Sequence, residues 1–245
     1  MTALSVIGRR YLPRGWSDLF RQLVIWFGFF FVYQIARGLA DRNPAKAFAH
    51  GLGVIRLEKH THALFELTLQ RITLSSHVLT VATSWTYWLS QFTVLGLALL
   101  WVYLRRHEHF ARFRNTVLLA NAIGLIGYVT VPTAPPRMFP QDGFVDLLAS
   151  FGINQGSGFV QLASNQYAAM PSLHAADAVI VGVTLAVVVR HWYLKILWIL
   201  WPAWVWFSVM ATGNHFWLDI VIGVAVAGVA AAIVNAPRLL RLARA

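Results

Sequence analysis

The sequence predicts an all-α protein: a polytopic membrane helical bundle with six transmembrane helices and interfacial helices in the long outer connectors. Three observations carry that expectation. Of 245 residues, 58% are hydrophobic and only 12% charged, whereas a soluble domain is roughly one-quarter charged. The apolar runs approach the ~20 residues needed to cross a bilayer. Most gaps between them are short, so a single integral membrane domain over residues 1–245 is expected.

The first run, 19–38, contains "VIWFGFFFVY", and the second covers 79–104. The third, 116–131, stops before Pro132, as helices tend to stop ahead of a proline. The fourth covers 172–189. The fifth, 193–210, carries Pro202, which a membrane helix tolerates with a kink. The sixth covers 216–234. Two connectors are long. In 41–77, Leu64, Phe65, Leu67, Leu69 and Ile72 of "THALFELTLQRITL" predict an amphipathic helix lying at the interface. The connector 132–170 is rich in Gly, Pro, Ser and Asn and reads as a structured loop. The basic start, "MTALSVIGRRYLPRG", lacks an apolar core with a small-residue cleavage site, so no removable signal peptide is expected.

The net charge is +11. No basic run is interleaved with polar residues as nucleic-acid binding would need. The arginines gather instead at the ends of apolar segments, which suits membrane lipids as partners. Arg9, Arg10, Arg14, Arg105, Arg106, Arg112, Arg114, Arg190, Lys195, Arg238, Arg241 and Arg244 fall on one side if there are six spans. That side is expected to be cytoplasmic, with both termini there, in the cytoplasmic membrane. Arg37, Arg42, Lys46, Arg56, Lys59 and Arg71 run against this rule in and beside the first outer connector. There is no cysteine, hence no disulfide and no thiolate metal site. His60 and His62, like His107 and His109, are two apart and point in different directions on a helix, so no metal site is expected. Nothing in the sequence sets the oligomeric state.

Three polar clusters lie at the predicted outer ends of spans: "PTAPPRM" at 132–138, "MPSLHAAD" at 170–177 and "TGNHFWLD" at 212–219. Ionisable groups there are costly and usually face a wet cavity or the bundle interior. His215 and Asp219 are four apart and share a helix face. Asp219 can accept a proton from one imidazole nitrogen and leave the other free as a nucleophile. Alone, the pair serves equally well as a structural hydrogen bond at a helix start. Pro171 suits a first helical turn, and Ser172 with the neighbouring N–H groups can meet an anion there or simply cap the helix. His174, one turn in, can hand a proton to a leaving oxygen. Arg137 can bridge two phosphate oxygens, or meet lipid headgroups as an ordinary interfacial arginine. Asp177 either raises the proton affinity of His174 or locks helix packing. Together the set contains an anion clamp, a proton donor and an oriented nucleophile.

"PSLH" together with Ser208, His215 and Asp219 in an S-x6-H-x3-D spacing resembles the type 2 phosphatidic acid phosphatase superfamily. "PTAPPR" and "GNHFWLD" look more like its inositol phosphorylceramide synthase branch. The resemblance covers about residues 112–234. It implies an α-helical core and a metal-independent phosphoric ester hydrolase or phosphotransferase with no cofactor. In that reading His215 forms a phosphohistidine and Asp219 orients it. His174 protonates the leaving alkoxide, then activates water or an alcohol. Arg137, Ser172 and the backbone at Leu173 and Gly213 hold phosphate oxygens, with Asp177, Asn214 and Ser208 as candidate modulators. The sequence departs from the family pattern at four places. Thr130 stands where the first motif has lysine, Met138 where it has proline, Val209 where the third motif has arginine, and Leu173 where glycine is usual. Either other basic groups replace the missing cations, or the substrate carries less charge, as a phosphodiester does. The expectation is a membrane lipid phosphate phosphatase or lipid headgroup phosphotransferase acting on a phosphorylated lipid at the extracytoplasmic face. The competing class is a non-catalytic lipid-phosphate carrier or flippase using the same anion site.

Overall fold

Helix α1, Gly15–Ala40, opens the part of the chain described by the computed structural model, which covers residues 12–40, 43–150 and 166–242. Arg9, Arg10, Arg42, Arg244 and the 151–165 part of the second connector lie outside it, as do the side chains of Arg37, Arg238 and Arg241. Next come α2, Pro44–His60, and α3, Glu66–Leu74. Asn43 starts α2 by accepting the Lys46 N–H at 3.1 Å, ahead of a proline in the first turn. Helix α4, His77–Leu89, is capped by Ser76 and passes through a π-helical turn, Ser90–Val94, into α5, Leu95–Arg105. Helix α6, His107–Thr130, begins before the predicted third span and ends ahead of Pro132. After the short α7, Leu147–Ser150, follow α8, Leu173–Val188, α9, Trp192–Ala211, and α10, Trp217–Leu242.

The fold is all-helical among the described residues, and every predicted span coincides with a helix. Among the described residues, three stretches are long and apolar enough to cross a membrane: His77–Arg105, Trp192–Ala211 and Trp217–Pro237. Helix α8 is apolar but shorter, at 16 residues. It is central, packed against α6, α9 and α10, and it is buried on most sides, as an apolar helix without a polar face must be. Leu173, Ala176, Ile180 and Leu185 join a core with α5 and α6. On another side, Ala175 and Ala178 meet Val205 and Val209 of α9 and Ile220 of α10. Large apolar side chains such as Phe27, Phe31, Trp85, Ile199 and Leu200 are exposed.

The amphipathic helix expected near 61–74 is present as α3, with Leu67 and Leu69 half-buried against the core as expected, but its inner face is mixed. Glu66, Gln70 and Thr73 are buried, while Phe65, Ile72 and Leu74 face outward. The reason lies in what α3 packs against: its inner face meets inward-facing backbone groups of Val145, Ala211 and Trp217, and Gln70 and Glu66 bond to them. The helix ends sort into two sets. Arg106 donates to the Val188 carbonyl at the end of α8, and Tyr103 donates to Asp18 at the start of α1. The α5–α6 and α8–α9 junctions, with Arg105, Arg106, Arg190 and Lys195 near them, therefore share an end with the start of α1. The opposite end holds the starts of α8 and α10 and the end of α9, where the three polar clusters meet.

Candidate active site

Ser172 caps α8: its hydroxyl oxygen accepts the Ala175 N–H at 3.3 Å, and its own N–H donates to the Asp219 carbonyl at 2.9 Å. Leu173 is 1% exposed and lays its side chain on Gly124 of α6, where a Cβ would come within 2.5 Å of it. The bulk that replaces the usual motif glycine is thus received by a glycine on the facing helix. His174 follows. Its ring stacks on Tyr87, centroids 4.5 Å apart and planes at 23°.

The chain between α9 and α10 turns through Gly213 at φ +72, a conformation that favours glycine. The N–H groups of Asn214 and His215 both donate to the Val209 carbonyl, at 3.1 and 3.2 Å. His215 is 4% exposed. Its Nδ1 lies 2.8 Å from the Ala169 carbonyl and 3.5 Å from Asp219 Oδ2. A carbonyl can only accept, so Nδ1 carries the proton and Nε2 keeps the lone pair. The backbone oxygen is therefore a nearer tautomer-setting partner than the expected carboxylate. Asp219, itself fully buried, accepts the Phe216 N–H at 2.8 Å. Burial and the nearby Arg137 guanidinium push the His215 pKa down to about 3, so the ring is neutral.

Arg137 is held across the gap. Its backbone N–H donates to the Gly213 carbonyl at 2.8 Å, its Nη1 donates to Asn214 Oδ1 at 2.6 Å, and Nε lies 3.7 Å from Asp146 Oδ2. The His174 and His215 rings are 5.6 Å apart. Arg137, His174, His215, Asn214 and Asp177 line one cavity of about 260 Å³. Its other walls are largely aromatic, with Trp26, Phe29, Phe30 and Tyr33 of α1 and Trp88 of α4.

Five sequence candidates stand behind the wall and do not line the cavity: Ser172, Leu173, Gly213, Asp219 and Ser208. The Gly213 N–H is already bonded to the Met210 carbonyl at 2.9 Å, so this residue shapes the turn and offers no amide to a phosphate. Ser208 is fully buried and donates to the Trp204 carbonyl at 2.8 Å. Asp177 accepts from Asn121 Nδ2 at 3.0 Å, a bond between helices that fits the packing role.

Sequence reasoning missed what supports the turn that carries His215. Glu66 Oε1 accepts the Trp217 N–H at 2.6 Å and Glu58 Oε1 accepts the Leu218 N–H at 3.4 Å. With Asp219 on Phe216, three fully buried carboxyl groups meet the first N–H groups of α10, which have no partner within the helix. Burial, with the charge of Glu66 beside it, raises the pKa of Glu58, and burial, with Asp219 nearby, raises that of Glu66. Gln70 donates to the Val145 and Ala211 carbonyls and accepts the Val145 N–H, tying α3 to the loop that carries Arg137 and to the end of α9. The available signal was Glu66 inside the apolar "LFELTL" of a chain with only nine acidic residues.

The two positions where the family motif has cations show what became of them. Val209 is fully buried. At Thr130 a lysine does arrive: Lys46 of α2 donates to the Thr130 carbonyl at 3.4 Å. It comes from outside, however, exposed and off the cavity wall. Among the described residues, Arg137 is the one Lys or Arg side chain lining the cavity.

The chain resembles a phosphoinositol dihydroceramide synthase of Bacteroides thetaiotaomicron, 27% identical over 153 residues, covering 57% of this chain and 50% of that protein. The chain thus spans about half the length of that relative. In structure it is similar to LpxE of Aquifex aeolicus, with a TM-score of 0.52 and 17% identity over 68% of this chain and 92% of that one, which relates the folds. The PAP2 superfamily model matches residues 52–233, beginning ahead of the region the motifs cover and taking in Glu58 and Glu66. With the matched region and the ordered motifs in agreement, the chain belongs to the PAP2 superfamily.

Proposed function

We propose that this protein is a lipid headgroup phosphotransferase that works through a phosphohistidine at His215, at the extracytoplasmic end of a six-span, single-domain bundle. His215 Nε2 attacks phosphorus, the bond to the leaving alcohol breaks, and His174 donates the proton that the leaving oxygen takes. An acceptor alcohol then gives its proton to His174 and attacks phosphorus, and the P–N bond breaks. Arg137 neutralises the non-bridging oxygens in a site where electrostatics are strong. Asp219, Glu58 and Glu66 hold the turn that presents His215.

The observation that carries the choice of substrate is that, among the described residues, one guanidinium lines the cavity. A phosphomonoester brings close to two negative charges and a phosphodiester one. Burying the second without a partner is costly. The aromatic walls suit the apolar part of a lipid, and the relative named as a synthase agrees with transfer rather than hydrolysis. The basic end described above is placed on the cytoplasmic side by the positive-inside rule, which puts the cavity outside.

The test is purified protein in mixed micelles with a panel of lipid phosphodiesters and monoesters, free phosphate and new lipid both measured, with and without chelator. New phosphodiester lipid, insensitive to chelator, is expected. Phosphate release from monoesters alone would make the protein a phosphatase. Binding with no release and no exchange would make it the carrier or flippase.

A further inference from the structure

Asp177 is a buried acid that the chemistry above does not use. It is 2% exposed, lines the cavity, and lies about one turn deeper along α8 than His174. One carboxylate oxygen is accounted for, since Oδ1 accepts from Asn121 Nδ2, which also bonds the Val117 carbonyl of its own helix. The other, Oδ2, is buried with no hydrogen-bond partner among the described residues. A helix lock would need only the first oxygen. An acid left half-satisfied among apolar helices is expensive, and such groups usually face a ligand or an ion path. The wall opposite is shaped to match. The π-helical turn Ser90–Val94 interrupts α4 and α5 beside the cavity, and Gln91 within it lines the same space. Single π turns of this kind are frequent at functional sites. Gln91 approaches the Asp177 carboxylate without completing a bond of good geometry.

We propose that Asp177, Asn121 and Gln91 form a hydroxyl-recognition subsite for the substrate, one helical turn below the transferred phosphate. A hydroxyl is the group that fits. It donates to a carboxylate, accepts from a protonated carboxyl, and can at the same time engage a carboxamide. An ester carbonyl can only accept and leaves an ionised Asp177 unmet. The subsite therefore selects reactants with a free hydroxyl a few bonds from phosphorus. Two sources share that chemistry: the backbone of the lipid and the alcohol headgroup. This assignment rests on the phosphotransfer reading for its substrates, but its first test does not depend on turnover.

That test is binding to the His215→Ala protein, which cannot form the covalent intermediate. Dissociation constants are measured for matched pairs: a lipid phosphodiester with and without a free backbone hydroxyl, and one with a polyol or a simple alkyl headgroup. The hydroxylated member of one pair is expected to bind roughly 10- to 100-fold tighter, and adding Asp177→Ala is expected to bring that ratio close to one. Which pair responds identifies the source. Asp177→Asn, which preserves the bond geometry better, is expected to retain part of the preference and serves if the alanine variant does not fold. In the active protein the same ratio is read in kcat/KM. Equal binding of both members of both pairs, or a ratio that survives Asp177→Ala, overturns the proposal. Discrimination in the binding assay with no turnover of any ester by the wild-type protein would overturn the phosphotransfer reading and leave the subsite standing.

Discussion

Nδ1 of His215 lies 2.8 Å from the carbonyl oxygen of Ala169, and this bond fixes which nitrogen of the ring can act. The carbonyl belongs to the segment that leads into α8 and His174, so His215 and His174, the proposed nucleophile and proton donor, are positioned by one continuous stretch, 169–174. If the ring acts as a nucleophile, His215→Ala lowers turnover by at least about 10³-fold while the protein still inserts and keeps its helical circular dichroism.

The same ring is held neutral, with its pKa pushed from 6.5 down to about 3. The unfolded chain takes up this proton at ordinary imidazole pH and the folded chain does not. The corresponding stability is present above about pH 6.5 and is lost as pH falls toward 3. Acylation of His215 by diethylpyrocarbonate in the substrate-free protein is expected to stay level from pH 7.5 to about 5.5, whereas an ordinary exposed histidine slows over that range.

Glu58 and Glu66 predict the opposite slope. Their raised pKa values mean that the folded state holds a proton which the unfolded state gives up near 4.5. Their contribution to stability is complete below that pH and declines as pH rises through the raised value. Glu66→Ala removes the acceptor of the Trp217 N–H and is expected to cost about 1–3 kcal/mol, read as a lower melting temperature in detergent, and to lower kcat by disturbing the turn at His215. Glu66→Gln keeps an acceptor and is expected to lie between the two, with its stability less dependent on pH in the alkaline range.

Gly223 predicts a steric failure. A Cβ there would sit 2.2 Å from the Ser172 carbonyl oxygen, a backbone atom held by the contact of Ser172 N–H with Asp219. Gly223→Ala is expected to force α10 away from the start of α8, separating His215 from His174. Turnover should fall at least tenfold with the helices intact by circular dichroism.

Arg137 predicts a loss that lysine does not rescue. Its Nη1 is engaged by Asn214 and its Nε lies near Asp146, so only a branched guanidinium can hold these partners and still face the substrate. Arg137→Lys is expected to lower kcat/KM by about 10- to 100-fold.

Much of this site was legible because its residues are rare in such a chain. A histidine or arginine at the end of an apolar run is conspicuous, and the spacing of His215 and Asp219 sets a shared face on any helix. The predicted spans could be read from apolar run length alone, although among the described residues only α4–α5, α9 and α10 combine the length and the apolarity that a crossing needs. What escaped was made of backbone and of long-range pairing. The Ala169 carbonyl has no side-chain signature. The apolar residues around Glu66 dominate the pattern and point to an interfacial helix, yet the fold buries Glu66 itself against the start of α10. The Leu173–Gly124 contact joins positions on two helices, and nothing local announces it.

The central claim is a covalent bond between phosphorus and His215. Wild-type protein is mixed with lipid substrate labelled at phosphorus, quenched at alkaline pH within a single turnover, digested and mapped. Label on the peptide carrying His215, formed and lost at the rate of turnover and missing from the His215→Ala protein, is the predicted result. Full turnover with no label at His215, or label that persists in the alanine variant, would contradict it.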